Sequence, residues 1–71
     1  MLTIRRRDLD DIKEMSVEQL KAHIDNKFKN RHGMKVDYCY RLLDAITLLD
    51  QYDIEYPGLQ DTVNKLLEEY E

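Results

Sequence analysis

The chain has 71 residues, of which 42% are hydrophobic and 37% are charged. This length suffices for one small domain, and the composition is too apolar for a disordered tail and too charged for a membrane span. A single cysteine excludes a disulfide framework within the chain and suits a reducing compartment. No long apolar stretch follows the first basic residues, as it would in a secretory signal. We therefore expect residues 1–71 to form a single cytoplasmic domain that does not enter a membrane.

Formal charge is unevenly distributed along the chain. The net charge is −4, but residues 1–43 carry +3 and residues 44–71 carry −7. Such a separation of charge favours an oriented encounter with a charged partner.

The shortage of turn residues predicts an all-α fold. Two glycines and one proline are too few for an architecture of many short strands, and they favour a few long helices. In chain order we expect a flexible basic arm at residues 1–7, a short helical turn from Asp8 to Met15, and three helices at about residues 17–31, 35–53 and 58–70. Asp8 is expected to cap the first turn.

The helix at 17–31 has a recognisable start. Ser16 and Gln19 match a capping box, in which each side chain accepts a hydrogen bond from the other residue's backbone N–H. Gly33 is expected to end this helix in a left-handed conformation. The apolar residues between these ends are spaced by three or four, as one face of a helix requires: Val17, Leu20, Ile24 and Phe28.

The helix at 35–53 is apolar over more than half of its circumference. We therefore expect it to be central, with the other two long helices packed on it and Tyr52 at the margin of the core. Tyr40 and Leu48 fall instead on its otherwise polar arc. Because a single core of this size supplies only about 3–5 kcal/mol, a homodimer or another partner that covers this helix would stabilise the fold.

The last helix, at 58–70, follows a turn that contains Pro57. Proline ends the preceding helix and suits the first position of the next one. The apolar face of this helix is regular and predicts packing against the central helix: Leu59, Val63, Leu66, Leu67 and Tyr70.

Few residues in the sequence suggest catalysis or cofactor binding. Cys39 lies on the apolar side of the helix at 35–53, where a thiol behaves as a small hydrophobic side chain. His23, His32 and Cys39, even with Asp37, are not spaced as the paired ligands of a zinc site. The sequence also lacks a glycine-rich phosphate-binding loop. We therefore expect a non-enzymatic protein with no cofactor and no metal.

The polar arc of the helix at 35–53 is the predicted protein-binding face. Its members are Asp37, Tyr40, Arg41, Asp44 and Leu48. Tyrosine, which combines a wide contact area with a polar tip, is typical of interfaces, and the chain has five tyrosines against one phenylalanine. We interpret the chain as a protein-binding module, that is an adaptor, an inhibitor or a regulatory subunit, such as an accessory protein of a bacterium or a phage.

Two basic clusters support an alternative, a regulator that binds nucleic acid. Their side chains would neutralise backbone phosphates: Arg5, Arg6, Arg7, Lys27, Lys29, Arg31 and Lys35. Residues 15–24, with the capping Ser16 followed by Val17, Leu20 and Lys21, resemble the first helix of SAP-type DNA-binding modules. The resemblance implies contact with DNA, although residues 26–31 replace the short helix and glycine-containing loop of that family with a longer basic helix end.

Overall fold

The computed structural model describes residues 4–71, which form four α-helices and no strand. These are α1 (Arg6–Ile12), α2 (Val17–Lys27), α3 (His32–Asp50) and α4 (Pro57–Tyr70). The predicted all-α fold of three helices after a short N-terminal helical element is confirmed. Within residues 4–71, every helix is too short or too polar to cross a membrane.

The first two helices begin at side-chain caps. Ser16 Oγ accepts the backbone N–H of Gln19 at 3.2 Å, and Gln19 Oε1 accepts the backbone N–H of Ser16 at 2.9 Å, which confirms the predicted capping box. Helix α1 starts earlier than predicted, so that Asp8 lies in its first turn and accepts the backbone N–H of Arg5 at 2.9 Å. Arg5 is therefore the N-cap residue, and residues 1–3 of the predicted basic arm lie outside the described residues.

The connection between α2 and α3 differs from the prediction. Helix α2 ends at Lys27 and α3 begins at His32, so Gly33 lies inside the first turn of α3 and does not terminate α2. The left-handed residue is Asn30, with a φ of 59°. Asparagine tolerates this conformation better than most residues, because its short polar side chain bonds locally. The break between the helices therefore lies at residues 28–31, before the predicted break at residues 32–34.

The turn between α3 and α4 contains a left-handed residue and ends at the proline that begins α4. Helix α3 ends at Asp50, three residues before the predicted limit, and Asp53 then adopts a φ of 63°. Pro57 is the first residue of α4, where its missing N–H costs no helical hydrogen bond.

Helix α4 shares the central position with α3. It packs along α3 and also against α2, whereas α2 has little contact with α3, in contrast to the prediction that both neighbours pack on one central helix. Helix α1 packs on α3. The buried side chains form one hydrophobic cluster, contributed by all four helices and the two turns beside them: Leu9, Ile12, Leu20, Ile24, Phe28, Tyr38, Cys39, Leu42, Ile46, Tyr56, Leu59, Val63, Leu66 and Tyr70.

Substitutions at Asn30 and Gly33 should change stability in opposite directions. We expect Asn30→Ala to lower the free energy of unfolding by about 1 kcal/mol, because alanine tolerates a positive φ poorly. We expect Gly33→Ala to raise it by about 0.5 kcal/mol, because Gly33 is helical and an added Cβ meets no atom within 4 Å. Chemical denaturation measures both changes. Destabilisation by Gly33→Ala would contradict the helical position of Gly33.

Candidate protein-docking face

The predicted docking residues lie on the outer side of α3. Tyr40 is 46% exposed and Leu48 is 54% exposed. Asp37, Arg41 and Asp44 are exposed beside them, so all five side chains are accessible on one helix. We refer to these five residues as the α3 face. Their exposure agrees with the helical periodicity that separates them from the core.

Two polar contacts orient three side chains of the α3 face. The Tyr40 hydroxyl donates a hydrogen bond to the carboxylate of Glu71, which raises the pKa of Tyr40 above its ordinary value. Arg41 Nε lies 3.8 Å from Asp37 Oδ2, one helical turn away. Because both partners of this pair are exposed, the pair orients the side chains more than it stabilises the fold.

Tyr52 extends the exposed apolar surface beyond the predicted face. It was expected at the margin of the core, but it is 69% exposed in the turn that follows α3. Helix α3 ends at Asp50, so the periodicity that assigned Tyr52 to the apolar side no longer applies there. Tyr40, Leu48 and Tyr52 are the large hydrophobic side chains exposed within residues 4–71, and we call them the apolar row.

The other three tyrosines belong to the core. Tyr38, Tyr56 and Tyr70 are each at most 9% exposed. The Tyr56 hydroxyl donates to Asp10 Oδ1 at 2.7 Å, and this bond raises the pKa of Tyr56. Three of the five tyrosines are therefore buried in the core, and Tyr40 and Tyr52 are exposed.

The basic cluster at the end of α2 is partly occupied by contacts within the chain. Lys27 Nζ lies 5.2 Å from the ring centroid of Tyr38 and 5.9 Å from that of Phe28, within the range of cation–π attraction. Lys27 also lines a small recess of about 80 Å³ together with Asp8 and Asp11 of α1. These neighbours compete with any phosphate for Lys27.

Lys35 is held in a second contact within the chain. Its Nζ lies 3.1 Å from Asp25 Oδ1, the same oxygen that accepts the Tyr70 hydroxyl at 2.8 Å. The hydrogen bond from Tyr70 and the charge of Lys35 lower the pKa of Asp25, while burial and Asp25 together raise the pKa of Tyr70. This contact joins α2, α3 and α4 and leaves Lys35 only partly accessible.

The remaining basic residues of the two clusters are exposed. Arg5, Arg6 and Arg7 lie at the start of α1, and Lys29 and Arg31 lie around the turn between α2 and α3. Lys27 is exposed as well, so six of the seven predicted phosphate-binding side chains are accessible and Lys35 is partly buried.

The candidate ligands of a zinc site are used in other ways. Cys39 is fully buried in α3, and burial raises the pKa of its thiol to about 11, which disfavours the thiolate that metals and electrophiles require. His32 donates from Nε2 to the backbone carbonyl of Tyr70 at 2.9 Å. Among residues 4–71, no group of three or more His, Cys, Asp or Glu side chains is placed to hold a metal ion.

A recess lies beside the C-terminal half of α3. It is an open cleft of about 440 Å³, with Asp50 and Glu55 at its polar side and Ile46, Tyr56 and Pro57 among its other walls. Sequence reasoning missed this cleft, because it depends on how the turn before α4 folds against α3.

Comparison with known proteins does not identify a relative of this chain. Neither the protein-family models, nor the curated proteins, nor the solved structures contain a match.

Asp25→Asn should destabilise the fold at neutral pH but not in acid. Because the folded-state pKa of Asp25 is lowered, the stabilisation is complete above the unfolded pKa of about 4 and is lost as the pH falls through the lower folded value. We expect a loss of about 1 kcal/mol or less at pH 7, since the carboxylate is partly exposed. Chemical denaturation between pH 7 and pH 3 measures this difference.

Asp61→Asn provides the control for this experiment, because Asp61 is an exposed carboxylate on α4. A difference between wild type and Asp25→Asn that stays constant down to pH 3 would show that the charge of Asp25 is not its source.

Proposed function

We propose that this chain is a small, non-enzymatic helical module that binds another protein through the α3 face. The observation that carries the proposal is the position of the apolar row. Tyr40, Leu48 and Tyr52 all lie on α3 or in the turn after it, while the large hydrophobic side chains of α1, α2 and α4 are buried or packed against the core. Single exposed apolar residues are common, but their concentration on one helix is typical of a binding surface.

The composition of the α3 face supports the same proposal. Tyrosine and arginine are enriched where interfaces derive most of their binding energy, and leucine adds apolar area. Arg41 and Asp37 are already oriented by their contact, and Tyr40 is oriented by its hydrogen bond to Glu71. Binding would therefore cost these side chains less conformational entropy. An adaptor, inhibitor or regulatory subunit in the cytoplasm needs no more than such a face, and the single cysteine suits that compartment.

Replacing Tyr40 and Leu48 together by alanine should abolish partner binding without unfolding the chain. Exposed substitutions usually change stability by no more than about 0.5 kcal/mol, whereas loss of a central interface residue costs about 2 kcal/mol or more of binding. That cost corresponds to at least about a 30-fold loss of affinity. Capture of proteins from a cell extract by the tagged chain, together with thermal melting of each variant, measures both properties.

The matched control is Gln60→Ala with Asn64→Ala, two exposed positions on α4. This control should retain both stability and capture. Equal capture by wild type and by the Tyr40/Leu48 variant would reject the α3 face, and unfolding of that variant would show that both side chains support the core.

The alternative proposal is a nucleic-acid-binding regulator, and the exposure of Arg5, Arg6 and Arg7 at the start of α1 favours it. In the second cluster Lys29 and Arg31 are exposed, and Lys27 is exposed but lies near the rings of Phe28 and Tyr38. Because Lys27 and Lys35 already contact groups within the chain, we expect at most five phosphate contacts.

Titration of a labelled 20-base-pair duplex tests this alternative. Each phosphate contact contributes about 0.9 to the slope of log affinity against log salt, so five contacts predict a slope of about −4.5. Replacing Arg5, Arg6 and Arg7 by Ala should reduce the slope by about 2.7. Absence of binding at about 50 mM salt would exclude duplex DNA as the partner.

A further inference from the structure

The surroundings of the apolar row are strongly acidic. From Val36 to Tyr56 the chain contains one basic residue, Arg41, and five acidic residues: Asp37, Asp44, Asp50, Asp53 and Glu55. All five carboxylates are exposed, and Arg41 is drawn towards one of them, Asp37. Glu71 adds a further exposed carboxylate beside Tyr40. Asp50 and Glu55 line the cleft beside α4, whereas the carboxylates placed next to Tyr40 and Leu48 are Asp37, Asp44 and Glu71, with Arg41 as the basic residue among them.

Asp44 has a central position in this arrangement. It follows Tyr40 by four residues and precedes Leu48 by four, so it lies between them on the same side of α3. Eight residues of helix separate Tyr40 and Leu48 by about 12 Å along the axis. A partner helix of about three turns would cover both side chains and meet the Asp44 carboxylate between them.

We infer that the partner of the α3 face is an amphipathic helix whose apolar stripe is flanked by lysine and arginine. This inference rests on the proposed function and specifies the chemistry of the partner. The apolar stripe would cover Tyr40 and Leu48, and the flanking cations would approach Asp44 and its neighbouring carboxylates. Opposite charges of this kind raise the rate of encounter and select among partners that offer similar apolar area.

A second copy of this chain fits the α3 face less well. A symmetric dimer would place the same acidic patch against itself, because a two-fold interface pairs each surface with its own copy. An asymmetric contact could bring Lys29 and Arg31 of one copy to the α3 face of another. That contact would supply charge but no apolar side chains, because the large exposed ones within residues 4–71 all belong to the apolar row.

Two designed helical peptides with the same leucine stripe test the inference. One peptide carries lysine and the other carries glutamate at every position that flanks the leucine stripe. Binding to the full chain is measured at about 50 mM salt from the backbone amide shifts of the protein in NMR spectra. We expect the lysine peptide to bind at least tenfold more tightly, with the largest shifts at Tyr40, Asp44 and Leu48. Raising the salt to about 500 mM should remove most of this preference.

Charge reversal at one position provides the matched comparison. Asp44→Lys should reduce the preference for the lysine peptide at least tenfold, whereas Glu14→Lys, which makes the same change of net charge in the turn between α1 and α2, should leave it nearly unchanged. Equal binding of the two peptides, or equal effects of the two substitutions, would overturn the inference.

The outcomes separate this inference from the proposed function. If Tyr40→Ala with Leu48→Ala abolishes capture but the peptides bind equally, the α3 face binds protein and only the basic partner is wrong. If that variant captures as wild type does, the proposed function itself fails. Sedimentation that shows a dimer lost in the same variant would identify a second copy as the occupant and reject the basic helix.

Discussion

The packing of α4 against both α2 and α3 is the constraint on which the rest of the structure depends. Leu59, Val63, Leu66 and Tyr70 are all buried, so one face of α4 contributes to the core along its whole length. Because α4 and α1 both pack on α3, only one arc of α3 is left exposed. Tyr40 and Leu48 lie on that arc because the helical periodicity of α3 places them away from its apolar side.

Tyr70 fixes the geometry at one end of α4. Its hydroxyl donates to Asp25 of α2, its carbonyl accepts from His32 of α3, and its ring meets the His32 ring edge to face at 5.9 Å. A carbonyl in the last turn of a helix has no partner within that helix, so the bond from His32 satisfies a group that would otherwise need water. The neighbouring Glu71 then reaches Tyr40, which connects this end of α4 to the α3 face.

Local patterns in the sequence predicted the features that depend on local physics. The capping box of Ser16 and Gln19, the start of α4 at Pro57 and the exposure of Tyr40 and Leu48 are set by neighbours within about one or two helical turns. The choice of Asn30 over Gly33 as the left-handed residue was not predictable in this way, because glycine is also tolerated in a first helical turn.

Features that depend on tertiary contacts were missed. The engagement of Lys27 with the Tyr38 ring and of Lys35 with Asp25 joins residues that the sequence does not place near one another. The sequence alone therefore could not show which basic residues of the cluster already make contacts within the chain. The periodicity places Tyr52 at the margin of the core only if the helix continues beyond Asp50, where the chain in fact turns.

The carboxylates around the apolar row have opposite effects in the free chain and in a complex. In the free chain, repulsion between acidic surfaces opposes the self-association that exposed tyrosine and leucine side chains would otherwise promote. In a complex with a basic partner the same charges become attractive, and their effect is greatest where apolar contact excludes water. Asp44, between Tyr40 and Leu48, is the residue at which both effects act together. A face of this composition can therefore remain exposed in a small protein and still discriminate strongly among partners by their charge.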